Sequence, residues 1–235
     1  MAKDVIVTAS RVKWWQSFGR KIKLSVLLLL IIMFVIYIVL EIRMNNGSFY
    51  VSIKDNEQLE SGMAIYESQK DPTPKRRLKA ENLQFMDNIS IKWLPDNIQN
   101  EAEGSHNGDN YIAYTFYVEN QSDNVFNYWY EVISDDVIKD VDEAIRVMIF
   151  INDDKTIYAK VNHLDGKPEK DTVGFLKEDD GTVIREVRKN LTPGEFDKVT
   201  VVIWIEGDDP DCVDALIGGQ LKMHMKITEE HINTR

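Results

Sequence analysis

Seventeen consecutive uncharged residues, Leu24 to Leu40 (LSVLLLLIIMFVIYIVL), constrain this chain more than any other feature in it. Removing a Leu, Ile or Val side chain from water is worth about 1.5–3 kcal/mol. About 17–25 such residues in a helix match the hydrocarbon thickness of a bilayer, and no other stretch of the chain is long and apolar enough to do so. The run predicts one transmembrane helix. It divides the chain into a basic tail over residues 1–23, a membrane anchor over residues 24–43 that meets lipid through residues 24–40, and a larger domain over residues 44–235.

The flanks set an orientation. Lys3, Arg11, Lys13, Arg20, Lys21 and Lys23 stand against Asp4 before the run, a net charge of about +5 that holds the tail in the cytoplasm and sends the larger domain outside. Setting aside these residues with Glu41 and Arg43, the 28 basic and 39 acidic residues of the chain leave 21 and 37 for the domain. Trp14 and Trp15 suit the headgroup layer beside the basic cluster. The exit from the run, Tyr37 to Met44, has no A-x-A cleavage pattern, which favours an uncleaved single-pass signal anchor in the cell membrane over a cleaved secretory signal.

Beyond the anchor the pattern has period two. In Gly219–Ile227, Leu221, Met223, Met225 and Ile227 point one way and Lys222, His224 and Lys226 the other, as in a half-buried strand. Tyr111–Val118, Val125–Ile133, Ala144–Ile151, Thr156–Lys160, Thr182–Val187 and Lys198–Ile205 are similarly rich in β-branched and aromatic residues. Ser48–Ile53 is expected to be a first strand, and Ile89–Trp93 another. Asn152-Asp-Asp-Lys155 reads as a hairpin turn, and Asp179-Asp-Gly181 as a turn before a strand.

Many short strands, with Val202 and Trp204 opposite Val201, Ile203 and Ile205, predict an all-β, jelly-roll or Greek-key β-sandwich of two antiparallel sheets with short helical insertions. The interruptions are expected at residues 54–90, a surface loop around a short helix near Leu78–Met86, at Pro95–Asn110, a flexible acidic loop, and at Asp135–Glu143, one or two helical turns.

The most distinctive string is Trp204-Ile-Glu-Gly-Asp-Asp-Pro-Asp-Cys-Val-Asp214. Asp209 suits an N-cap, Pro210 the first helical position, and Gly218 a left-handed end, which together describe a helix of about two turns. The sharper reading is a calcium site: Glu206, Asp208, Asp209, Asp211 and Asp214 supply hard oxygen ligands, although their spacing is not that of the D-x-[DN]-x-[DN]-G loop. No other cofactor is called for.

Cys212, the sole thiol, forms no intramolecular disulfide, and the acids around it oppose its ionisation. The four histidines are scattered, with no H-E-x-x-H pair, no G-x-S-x-G elbow and no P-loop. A domain this acidic repels a phosphate backbone, so no nucleic acid is expected as a partner; Lys75-Arg76-Arg77 reads as a solvated loop.

The hydrophobic export segment, the strand soon after it, Gly104-Ser-His-Asn-Gly108, and the late Trp204–Cys212 string leading into Gly218-Gly219-x-x-x-Met223-x-Met225 resemble the TasA/camelysin group of Gram-positive surface β-sandwich proteins. The resemblance spans roughly residues 105–228. It implies a jelly-roll domain in extracellular matrix or surface fibres, in which the N-terminal strand of one subunit completes its neighbour's sheet; the residues in question are Ser48, Phe49, Tyr50, Val51, Ser52 and Ile53. Two departures stand out: no cleavage site would release the subunit, and no zinc ligands support the metallopeptidase activity attributed to camelysin.

The resulting expectation is a non-enzymatic surface protein acting in assembly, matrix formation or adhesion, with protein partners or copies of itself. An accessory subunit of a membrane complex, with Tyr128, Trp129 and Tyr130 as contact area, is the alternative. A metal-dependent hydrolase is the third class.

Overall fold

The computed structural model describes residues 9–44, 49–54, 62–83 and 85–231, in two units, residues 1–46 and 47–235. In the first unit a single helix, α1 (Ala9–Met44), runs through both the basic segment and the apolar run. The basic residues from Arg11 onward are helical and continuous with the apolar run; nothing between Ala9 and Met44 breaks a helix, there being no proline and a lone glycine. At 1.5 Å per residue α1 is about 54 Å long, and its stretch Lys21–Val39 is long and apolar enough to cross a membrane. The side chains of Trp14 and Trp15 lie outside the described residues, as does Ser48.

The second unit is all β. Its strands are β1 (Phe49–Ile53), β2 (Met63–Tyr66), β3 (Arg77–Lys79), β4 (Asn88–Ile89), β5 (Gly104–Ser105), β6 (Tyr111–Asn120), β7 (Phe126–Ile138), β8 (Ile145–Ile151), β9 (Asp154–Ala159), β10 (Val173–Gly174), β11 (Thr182–Leu191), β12 (Phe196–Glu206) and β13 (Gln220–His231). One sheet has the order β11-β7-β13-β1-β3, the other β10-β9-β8-β12-β6-β2, with β4 beside the end of β12 and β5 beside β6. The sandwich expected from the sequence is present, but its sheets are mixed: β1 lies parallel to β13, β10 to β9, and β4 to β12. These partners are far apart in sequence or joined by long connections, so no tight hairpin forces them antiparallel.

Two apolar layers follow from the alternation in β12. Val199, Val201 and Ile203 face the space between the sheets, where they pack with Phe49, Phe116, Tyr128 and Met225 among others. Val202 and Trp204 point the opposite way and join Ala113, Met148 and Phe150 in a second core, covered by Ile89, Leu94 and Ile98. The segment read as a flexible loop, Pro95–Asn110, is therefore a strap over the sheet. It carries a 3-10 turn at Ile98–Asn100 and the short β5, because an outer face bearing Trp204 must be shielded from water.

The other interruptions also differ from expectation. Leu78 is buried between exposed Arg77 and Lys79 in β3, a strand paired with β1, and the described residues of Leu78–Met86 form no helix. β2 went unseen because all four of its residues are buried, leaving no alternation to read. Asp135 and Asp136 stay in β7, held there by β13 as far as Ile138, and the expected helical turns shrink to a 3-10 turn at Val141–Ala144. The anticipated two-turn helix after Asp209 is one 3-10 turn at Asp214–Leu216. Gly218 does adopt the left-handed conformation, at φ +75°.

Candidate functional site

The acidic string leaves β12 at Glu206 and becomes a set of stitches between connections. Glu206 accepts from Trp204 Nε1 (3.0 Å), from the Ile91 N–H (3.1 Å) and from the Asp208 N–H (3.2 Å). It thereby ties the 3-10 turn at Ile91–Trp93, which leads into the strap, to the end of β12. Asp208 accepts from Ser90 Oγ at 2.8 Å, with Lys92 at 3.8 Å. Asp214 is exposed and opens the 3-10 turn.

Asp209 and Asp211 are the buried pair, both side chains almost free of solvent. Asp209 accepts the Asp211 N–H at 2.7 Å, an Asx-type turn that displaces the expected helix cap. Its other oxygen meets Arg146 Nη2 from β8 at 2.5 Å. Asp211 accepts the His163 N–H at 3.2 Å and also contacts His163 Nδ1.

Glu169, which accepts from Asn162 Nδ2 at 3.0 Å, brings a carboxylate oxygen within 4.8 Å of ligand atoms of Asp209 and Asp211. Of the five sequence candidates, the structure gathers Asp209 and Asp211, adds Glu169, and leaves Glu206, Asp208 and Asp214 outside the group. Glu169 lies some forty residues earlier, on the connection after β9, and no local spacing in the sequence points to it. The three acids offer hard oxygen donors to a cation, but Arg146 and His163 already stand against two of them. Chemically the group is a clamp joining β8, the connection after β9 and the connection after β12.

Cys212 sits beside this clamp. Burial raises its thiol pKa; a hydrogen bond with Asn88 opposes the rise, and the charges of Asp209 and Glu206 add to it. The thiol is thus a poor nucleophile, as its acidic surroundings suggest, with burial as the larger cause. The histidines are held singly: His106 between the Gly104 and Ile98 carbonyls, at 3.1 and 3.2 Å, His163 on Asp211, and His224 on Asp135 at 2.8 Å.

Of the second sequence candidate, residues 48–53, the described part Phe49–Ile53 is an interior strand of its sheet, between β13 and the edge strand β3. Phe49–Ile53 pairs with β13 on one side, and β3 pairs with its other side from Tyr50 to Ser52. Phe49, Val51 and Ile53 enter the main core. On the outer face, Tyr50 stacks on His224 with ring centroids 4.7 Å apart, and the Arg77 guanidinium lies 3.5 Å from the Tyr50 ring centre. Burial raises the Tyr50 phenol pKa; Asp135 adds to the rise and Arg77 opposes it. In the aromatic run of β7, Tyr128 is core, donating to Asp197 at 2.8 Å, whereas Trp129 lies half-buried and donates to Glu230 at 3.2 Å.

No family model matches the chain, and no curated protein matches it. Among solved structures, a β-glucosidase from Kluyveromyces marxianus in complex with glucose aligns at 12% identity and a TM-score of 0.27, over 73% of this chain and 16% of that one. This chain thus spans about a sixth of that protein's length, and a likeness at that score carries no argument about fold or activity.

Proposed function

We propose that this chain is a non-enzymatic protein of the cell surface, held in the bilayer by α1 and acting in extracellular assembly or adhesion. The observation that carries the reading is the stretch Lys21–Val39, a 19-residue apolar stretch of helix exposed along its whole length. A helix that is apolar all round and uncovered is stable in lipid, where its backbone hydrogen bonds are internally satisfied. The basic residues before it and the acidic domain after it support an orientation with the sandwich outside.

Assembly draws its support from the border of one sheet. β11 runs for ten residues and pairs on one side with β7, while no other described strand pairs with it. Such a border accepts a partner's strand through backbone hydrogen bonds. Strand exchange through residues 48–53, as the TasA/camelysin resemblance implies, would require each chain first to release β1 from both β13 and β3.

Two proline variants of the full chain, Glu186→Pro and Val187→Pro, test the border. In an antiparallel pair, successive residues direct their N–H groups alternately to the partner and away from it. One variant therefore breaks the β7 ladder and lowers Tm, and the other only removes an outward donor. The reading expects wild-type oligomers by size-exclusion chromatography and electron microscopy, lost in the variant of unchanged Tm. A wild type that stays monomeric, or a stability-neutral variant that assembles normally, contradicts it.

A further inference from the structure

Outside α1, five large apolar side chains are more than half exposed among the described residues: Phe85 (69%), Trp93 (73%), Leu164 (79%), Val213 (53%) and Ile217 (69%). All five lie on connections at one end of the sandwich. Val213 and Ile217 sit between the end of β12 at Glu206 and the start of β13 at Gln220. Leu164 follows His163, which touches Asp211 in that same connection. Trp93 is three residues from Ser90, which donates to Asp208. Phe85 lies where the chain passes from β3, whose Lys79 is opposite Tyr50, to β4, whose Asn88 is opposite Ile205.

This is the end at which β1 begins, since β1 runs parallel to β13 with Phe49 opposite Met223. At the other end the greatest exposures of this kind are Val125 at 40% and Phe196 at 45%. An asymmetry of this kind marks a surface that meets something apolar.

We infer that this end of the sandwich docks on the membrane surface, with Trp93, Leu164 and Ile217 seated among lipid headgroups. The inference rests on α1 spanning the bilayer. Met44 ends α1 and Phe49 opens β1; the intervening chain reaches at most about 18 Å. A headgroup layer is itself about 5–8 Å deep, so the tether holds this end, and not the far one, within reach of lipid. Tryptophan and aliphatic tips are the side chains that partition into that layer. The same connections carry Asp165, Asp171, Asp208, Asp209, Asp211 and Asp214 against Lys92, Lys167 and Lys170, a negative balance that selects for zwitterionic and against anionic headgroups.

The test uses the full chain in phosphatidylcholine nanodiscs. Co-elution of the chain with the discs first checks the span. The difference in fluorescence between wild type and Trp93→Phe then isolates Trp93 from the other four tryptophans, in discs with and without lipid brominated near the headgroup. The expected result is a blue-shifted Trp93 component, quenched by the brominated lipid and released from quenching both in Leu164→Ser/Ile217→Ser and on doping with phosphatidylglycerol. A chain that enters the discs but shows a water-like, unquenched Trp93 component overturns the docking while leaving the span intact. Quenching that strengthens with phosphatidylglycerol overturns the choice of headgroup, and a chain that never enters the discs overturns the span itself.

Discussion

Arg146 Nη2 lies 2.5 Å from Asp209 Oδ2, with both side chains almost wholly removed from solvent. Asp209 Oδ2 accepts no other hydrogen bond among the described residues. Removing one partner of a buried pair strands the other's charge, at a cost of about 3–5 kcal/mol. Arg146→Met is therefore expected to lower unfolding stability by about that amount in urea titrations. The double variant Arg146→Met/Asp209→Leu should recover part of the loss, because an apolar pair of similar volume can replace a buried ion pair, less the cost of the Asp211 N–H that Asp209 no longer accepts. A single variant within about 0.5 kcal/mol of wild type would mean the pair is solvated.

Trp204 anchors the second core and donates to Glu206, which in turn receives the Ile91 N–H from the 3-10 turn leading into the strap. Trp204→Ala should cost about 3–5 kcal/mol through the cavity it leaves. Trp204→Phe keeps much of the volume but removes a donor to a buried carboxylate, at about 1–3 kcal/mol. Hydrogen exchange should show the loss concentrated in residues 88–113; protection unchanged there would contradict the strap.

Glu131 provides the pH dependence. Burial acts to raise its pKa, but hydrogen bonds from Lys226 and Arg185, at 2.9 and 2.7 Å, overcome this and hold the carboxyl below its ordinary value. A carboxyl lowered on folding adds stability above its ordinary pKa of about 4.3, and that stability is lost as pH falls through the lowered folded value. The urea midpoint should thus drop between about pH 5 and pH 2, and Glu131→Gln should flatten that part of the profile. An identical profile in the variant would assign the acid sensitivity elsewhere.

Calcium addresses the acidic string. A ligand at 100 times its dissociation constant adds about 2.7 kcal/mol. With Glu206 committed to Trp204 and Ile91, and Asp209 to Arg146, a cation would have to displace existing partners. The expected outcome is a Tm unchanged by excess calcium or by chelator. A rise with calcium that disappears in Glu169→Gln would instead make Glu169, Asp209 and Asp211 a cation site.

The long strands were legible because β6, β8, β12 and β13 carry enough β-branched, aromatic or alternating residues to declare themselves locally. What escaped depends on tertiary partners. β2 has no polar face, the Leu78 strand is only three residues long, and Asp135 and Asp136 are kept extended by a neighbouring strand. The Asp209 cap failed for a related reason, since Arg146 claims the carboxylate from a strand more than sixty residues away. Glu169 was invisible in the same sense: its proximity to Asp211 is made by the fold, not by spacing.

The most direct test of a sandwich displayed outside the cell by α1 is cysteine labelling in intact cells, in a Cys212→Ser background. Asp123→Cys, on an exposed turn, is expected to react with a membrane-impermeant maleimide before permeabilisation, and Lys3→Cys only afterwards. Labelling of Lys3→Cys in intact cells with Asp123→Cys protected would contradict the account.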